Sequence, residues 1–197
     1  MLIRDYCDND ERGWLQCRVL SFLDTAYFDN VLQEKETYDY PSIELVAESE
    51  GRIVGLLDIE YEEKAGRVCS NDEILSGMIW HLAVHPDFQN QGIASSLLHE
   101  AKNRLEKLNI YRLEAWTRDD QWVNQWYEAR NFRKIEAYYH VFMEGKEMEN
   151  NLVANISKFR PVLCFAHYSG DHVTELKQKF TRVHECALYE TTWREQV

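Results

Sequence analysis

The stretch Val84-His85-Pro86-Asp87-Phe88-Gln89-Asn90-Gln91-Gly92-Ile93-Ala94-Ser95-Ser96 decides the kind of fold. Ahead of it, residues 79–84 form an apolar run of strand length. Pro86 ends that run because proline has no N–H to offer a sheet ladder. Behind it, Leu97, Leu98, Ala101, Leu105 and Leu108 recur at helical spacing, so a helix opens at about Gly92. The first turn of a helix leaves backbone N–H groups unpaired, and those groups form an anion site. Gly92 and Ala94 carry little or no side chain, so a pyrophosphate can approach that backbone closely.

Working outward, residues 2–6 read as an opening strand. Asp8 and Asp10 supply helix-capping chemistry. Trp14, Leu15, Val19, Phe22, Leu23 and Ala26 then recur as a helix over about 10–25, and a second helical stretch is expected over 28–35. Residues 43–48 and 53–61 flank Glu50-Gly51 as a hairpin. Beyond the central helix come a strand over 111–117, a helix over 121–129 with Trp122, Val123 and Trp126 turned inward, and an aromatic strand over 134–143. Residues 146–157 read as a loop or short helix. They are followed by a strand over 162–168, a helix over 171–180 capped by Asp171, and a strand over 182–192. The fold class is α/β, a mixed and mostly antiparallel twisted sheet flanked by helices, with a C-terminal β-α-β extension. We divide the chain into a domain over 1–145 and an extension over 146–197, which either completes the main sheet or forms a small β-α-β addition.

The chain has 197 residues, 45% hydrophobic and 28% charged, in keeping with one globular domain. The N-terminus lacks the basic-then-apolar order of a signal peptide, and no apolar run approaches bilayer length; a cytoplasmic location is expected, without membrane association. A net charge of −12 argues against nucleic-acid partners, which need a basic face. Five scattered cysteines without a C-x-x-C read as reduced, buried thiols. His81 and His85 lie four apart on a strand, without acidic or thiol partners at ligand spacing, so no metal site is expected.

Gln89-x-x-Gly92-x-Ala94, preceded by Val84-x-Pro86, resembles the Q/R-x-x-G-x-G/A motif of the GNAT N-acetyltransferase family. The likeness runs over about 1–143 in the family's order of elements. It implies acetyl-coenzyme A as acetyl donor, with the pyrophosphate on Gln91, Gly92, Ile93, Ala94 and Ser95, and with Gln89 and Asn90 opening the turn. It also implies that the strand before the turn splays from the next one, so that Leu82, Ala83 and Val84 run along the pantetheine arm. Asn124-Gln-Trp-Tyr127-Glu-Ala-Arg-Asn131-Phe132 is similar to the family's Y-E-x-x-G-F segment, which makes Tyr127 the general acid for the departing thiolate. Asn131 stands where the family has glycine, and asparagine tolerates the same left-handed turn. Asp120 stands where the family has a cofactor-binding asparagine, and Asn124 is the neighbouring amide able to replace it.

Candidates for the base that deprotonates the amine are Glu114, His81 and Glu73. The expected activity is direct transfer of acetyl from acetyl-coenzyme A to a primary amine of a small molecule or peptide. The acidic residues Asp24, Asp29, Glu34, Glu36 and Asp39 lean that choice toward a cationic acceptor. The alternative is a non-catalytic acetyl-coenzyme A sensor or assembly module of the same fold. Exposed strand edges at the C-terminus invite a homodimer.

Overall fold

The structure, a computed structural model, describes residues 1–149 and 151–193. The chain runs β1 (Leu2–Asp5), α1 (Glu11–Phe22), β2 (Ser42–Ser49), β3 (Arg52–Tyr61), β4 (Gly77–Val84), α2 (Ile93–Lys107), β5 (Arg112–Arg118), α3 (Gln121–Glu128) and β6 (Arg133–Glu144). It continues through α4 (Lys146–Glu149), β7 (Leu163–Tyr168), α5 (Val173–Lys179) and β8 (Arg182–Thr192). The eight strands form one sheet in the order β1-β2-β3-β4-β5-β8-β6-β7, antiparallel except between β4 and β5.

That parallel junction is short. Gly77, Met78 and Ile79 pair with Leu113, Glu114 and Ala115, and there the ladder stops. Beyond it β4 stays with β3, while β5 stays with β8 as far as Arg118 opposite Cys186. A bulge helps the strands part. Asp58 faces His81 and Ile59 faces Ile79, so Trp80 is an extra residue on β4. An extra residue bends and twists its strand. The sheet therefore opens into a cleft along residues 80–84.

Helices cover both faces. On one, α1 lays Trp14 and Cys17 against Val46, Leu56 and Ala83. On the other, α2 buries Ile93, Leu97, Leu98, Ala101 and Leu105 against Leu45, Val54, Leu57 and Leu113. Gly55 of β3 admits the start of α2, since a Cβ there would lie 2.7 Å from Ile93 Cγ2.

Several expectations need correction. Residues 24–41 hold turns and bends with no helix. Phe28 and Val31 are exposed, so the apparent stripe has no surface to pack on, and Arg182 and Arg18 engage Asp29 and Asn30 instead. Trp122 faces solvent at 54% exposure, while Val123 and Trp126 pack on the core. α5 begins one residue beyond His172 with no side-chain cap, so Asp171 does not cap it. Among the cysteines, Cys17, Cys69 and Cys186 are buried but Cys7 is exposed; all are free thiols. β8, from the C-terminal segment, lies between β5 and β6 and contributes Ala187 and Tyr189 to the main core. β7 is the outer edge, paired only to β6.

Candidate active site

The turn that ends β4 stands at the mouth of the cleft. A single 3-10 turn (Pro86–Phe88) starts from His85, whose Nδ1 accepts from the Asp87 N–H at 3.2 Å. Asn90 and Gly92 are both left-handed, at φ 59° and 80°. Gly92 is the N-cap of α2, and no side chain caps it. The first-turn amides of Ile93, Ala94 and Ser95 are thus left to an outside acceptor. A Cβ on Gly92 would meet nothing within 4 Å, so the turn is open on that side. Gln89 Nε2 donates to Val84 O at 3.3 Å and Gln91 Nε2 to Asp87 O at 3.4 Å. These two side chains brace the turn.

The cleft-facing edge of β4 follows from strand alternation. His85 N–H bonds to Val54 O of β3 at 2.9 Å. Main-chain groups alternate sides along a strand, so those of Leu82 and Val84 point the other way, where β5 has departed. The side chains of Leu82 and Val84 are half-buried on the α2 face, and that of Ala83 is buried on the α1 face.

Tyr127 approaches from α3. Its ring is walled by Trp126, Phe132 and Tyr189 at 5.2, 5.0 and 6.0 Å between centroids. The residue is 6% exposed, and its hydroxyl has no hydrogen-bond partner among the described residues. Burial alone pushes the phenol pKa well above its ordinary value. Asn124, one turn earlier on α3, has a buried Oδ1 without a partner. Asn131 ends the helix segment in the left-handed region at φ 62°. Asp120 is turned to structural use: both carboxylate oxygens accept the Ala26 N–H, at 3.0 and 3.1 Å, and burial raises its pKa.

The three base candidates are far from equivalent. Glu114 is fully buried, pairs with Arg112 at 2.5 Å and accepts the Ser70 N–H and hydroxyl. Those contacts tie β5 to the 62–76 loop and leave the carboxylate no free face for an amine. Glu73 is exposed on that loop. His81 is buried on the α1 face, edge-on to Trp14 at 5.1 Å. Its Nδ1 accepts from Arg18 Nε at 3.3 Å, and its Nε2 meets Glu36 Oε2 at 2.5 Å. Because arginine only donates, Nδ1 must be the acceptor and Nε2 carries the proton. The hydrogen bond from His81 holds the Glu36 carboxyl below its usual range.

Arg130, Arg18 and Lys35 escaped the sequence reading, and Glu36 was read only as part of an acidic segment, without its contact to His81. Arg130 lies one residue before the left-handed Asn131. Its guanidinium stacks on Trp126 at 3.9 Å and donates from Nη2 to Ser95 Oγ at 2.5 Å. No carboxylate pairs with it among the described residues, and burial lowers its pKa. It places a cation beside the amide turn, where local charge outweighs the acidity of the whole chain. Only its position next to the Y-E segment hinted at this.

A split sheet, an open amide turn with an unpaired arginine, and a phenol on α3 without a hydrogen-bond partner among the described residues suit a long phosphorylated carrier with a reactive end. Residues 41–134 match the family model of the acetyltransferase (GNAT) domain. An acetyltransferase of Pectobacterium atrosepticum is 28% identical over 107 residues, which is 54% of this chain; the chain spans 66% of that relative's length. The fold resembles the ribosomal-protein-S18-alanine N-acetyltransferase of Escherichia coli, with a TM-score of 0.56, 12% identity, and 100% and 97% of the two chains covered. It also resembles the PaiA N-acetyltransferase of Thermoplasma acidophilum in complex with coenzyme A, with a TM-score of 0.56, 10% identity and 98% of each chain covered. A GNAT acetyltransferase of Elizabethkingia anophelis with acetyl-coenzyme A bound has a TM-score of 0.52 and 13% identity, covering 98% and 97%. No helix among the described residues is long and apolar enough to cross a membrane.

Proposed function

We propose that the protein transfers acetyl from acetyl-coenzyme A to the primary amine of a cationic acceptor, by direct attack within the cleft between β4 and β5. The observation that carries this reading is the buried, unpartnered Asn124 Oδ1 on α3, one turn from the Tyr127 hydroxyl, on a fold whose split sheet ends at an open amide turn. A buried polar atom left unpaired costs roughly 1–3 kcal/mol, and a bound partner in the cleft would remove that cost.

In this reading Gln91, Gly92, Ile93, Ala94 and Ser95 hold the pyrophosphate through backbone N–H groups, with Gln89 and Asn90 shaping the turn and Arg130 adding charge. Leu82, Ala83 and Val84 flank the pantetheine arm. The N–H of Leu82 or Val84 polarises the thioester carbonyl, since oriented amides favour the developing oxyanion. Bound acetyl-coenzyme A supplies the activated acyl carbon. Tyr127 donates its proton to the sulfur as the C–S bond breaks. Burial raises the phenol pKa, which keeps Tyr127 protonated until the departing sulfur takes up charge. His81, on the opposite face of β4 with Glu36, is the group best placed to draw the proton from the amine, once Glu36 and Arg18 release its ring nitrogens. Residues 1–145 carry the donor and acceptor sites, and 146–197 are an extension whose strand β8 packs Tyr189 against Tyr127. The compartment we infer is the cytoplasm.

Thiol release from acetyl-coenzyme A, followed with a panel of alkylamines, polyamines and peptides, tests the proposal. Amine-dependent release is expected. Saturable coenzyme binding without amine-dependent release across the panel would instead favour a sensor or assembly module of the same fold.

A further inference from the structure

On the α1 face of the sheet lies a second cluster of aromatic and acidic side chains. Lys35 enters it with a side chain only 4% exposed. Its ammonium sits over the rings of Tyr6, Trp14 and Tyr38 at 4.9, 5.4 and 5.0 Å. It also pairs with Glu44 at 2.5 Å and Asp58 at 3.0 Å. Aromatic faces joined with carboxylates form a cage for an organic cation. Most of its walls stand on rigid elements: Trp14 on α1, Glu44 on β2, Asp58 on β3. Lys35 does not. It hangs from residues 24–41, which have no helix or strand and are held down mainly by side chains.

Two buried atoms show that Lys35 does not complete the cluster. Asp58 is fully buried and has one oxygen, Oδ1, without a partner, and Trp14 Nε1 is also buried and unpartnered. Three carboxylates, Glu36, Glu44 and Asp58, face two cations, Lys35 and Arg18. Burial pushes the Asp58 pKa up and the Lys35 ammonium opposes that shift, so the Asp58 carboxylate favours a cation beside it.

Its position is equally informative. Asp58 is the cross-strand partner of His81, two residues past the point where β4 leaves β5. The segment that inserts Lys35 also places Glu36 on His81 Nε2, and Asn30 takes the Arg18 guanidinium through its carbonyl and side-chain oxygens at 2.8 and 2.9 Å. Withdrawal of residues 30–36 would therefore empty the cage, free His81 Nε2 and release the Arg18 guanidinium from Asn30 in one motion.

We propose that Lys35 is a tethered stand-in for the acceptor, and that the cage of Tyr6, Trp14, Tyr38, Glu44 and Asp58 seats the ammonium group of a primary alkylamine. This deepens the acetyl-transfer reading and rests on it for the reaction. A site filled in cis binds an outside ligand more weakly by the fraction of time it is vacant. Lys35 therefore sets how readily the acceptor enters.

The test uses the full chain with Lys35→Ala and n-propylammonium, whose three carbons and nitrogen replace the deleted part of the lysine. Without coenzyme, Lys35→Ala should melt below wild type, and n-propylammonium should restore the melting temperature saturably while n-propanol does not. Adding Asp58→Asn should abolish that recovery. With acetyl-coenzyme A, kcat/KM for n-propylamine should rise roughly tenfold over wild type, the penalty expected if Lys35 fills the cage about nine-tenths of the time. Equal response to the ammonium and the alcohol overturns the proposal. If Lys35→Ala folds only when n-propylammonium is present during refolding, the cage stands; if neither additive helps, it falls. The melting arm needs no coenzyme. A failure of acetyl transfer alone would therefore show as intact ammonium binding with no thiol release.

Discussion

Replacing Tyr127 by phenylalanine separates chemistry from folding in this protein. The hydroxyl bonds to nothing among the described residues, while the ring packs against Trp126, Phe132 and Tyr189. Phenylalanine keeps all three ring contacts. A typical hydrogen bond contributes about 1 kcal/mol to stability, and there is none here to lose. The melting temperature should thus stay within about 2–4 °C of wild type. Turnover should behave differently. A positioned general acid contributes roughly 10²- to 10⁴-fold, which corresponds to about 2.7–5.4 kcal/mol of barrier. The pH profile carries a further expectation. An acid must be protonated to act, and burial raises the Tyr127 pKa above the ordinary tyrosine value. Wild-type rates should climb with pH as the acceptor amine deprotonates, without an alkaline fall below about pH 10. The assay is steady-state thiol release at saturating amine, beside calorimetric titration of the coenzyme and a thermal melt. A folded Tyr127→Phe enzyme with coenzyme affinity and turnover within about twofold of wild type would remove Tyr127 from the chemistry.

Arg130→Ala should weaken coenzyme A binding by roughly tenfold, in line with the 1.5–3 kcal/mol scale of hydrogen bonds to charged groups, with the loss shrinking in high salt; titration at two ionic strengths checks it. His140 is a pH marker for the β5-β8-β6 half of the sheet. Burial first, and then the Arg118 guanidinium that donates to its Nδ1 at 3.0 Å, lower its pKa to about 4. A depressed folded value means the unfolded chain binds the proton first. Stability from this residue should be complete above about pH 6.5 and decline as pH falls toward 4. NMR titration of the ring should show it neutral at pH 6; a midpoint near 6.5 would contradict the burial argument.

The parts of the fold legible in the sequence were those coded by local periodicity. The break from strand to Pro86 to small-residue helix start is a change of period, and α2 and β4 fall within one or two residues of the expected bounds. The expected helix over 28–35 failed for the same reason. Phe28, Val31, Leu32 and Lys35 mimic helical spacing, but Phe28 is recruited by Arg182 and Lys35 by the cage. Tertiary partners overrode a short local pattern. The amide turn and Tyr127 could be read because their neighbours lie within one segment. The contacts of Glu36 with His81 and of Lys35 with Asp58 span 45 and 23 residues. They depend on the register of a hairpin and the path of an irregular segment, and no spacing rule encodes either.

The distribution of charge gives a physical reason for the cleft's polarity. Arg130, alone among carboxylate-free surroundings, and the positive end of α2 flank the donor turn, so an anion is favoured there even on a chain of net charge −12. On the other side of β4 the acidic groups Glu36, Glu44 and Asp58 gather around Lys35 and His81, with burial moving the Asp58 pKa up. Asp120 could have blurred this division, since it opens α3 beside the donor cleft. Its carboxylate is instead spent on the Ala26 N–H, and burial moves its pKa up, toward the neutral form. A polyanion and an ammonium arriving together would thus each find one favourable end, and exchanging them would put phosphate against Glu36 and Glu44. In the proposed reaction, the orientation of donor and acceptor would follow from the electrostatics of the two faces of β4, before any single contact selects between ligands.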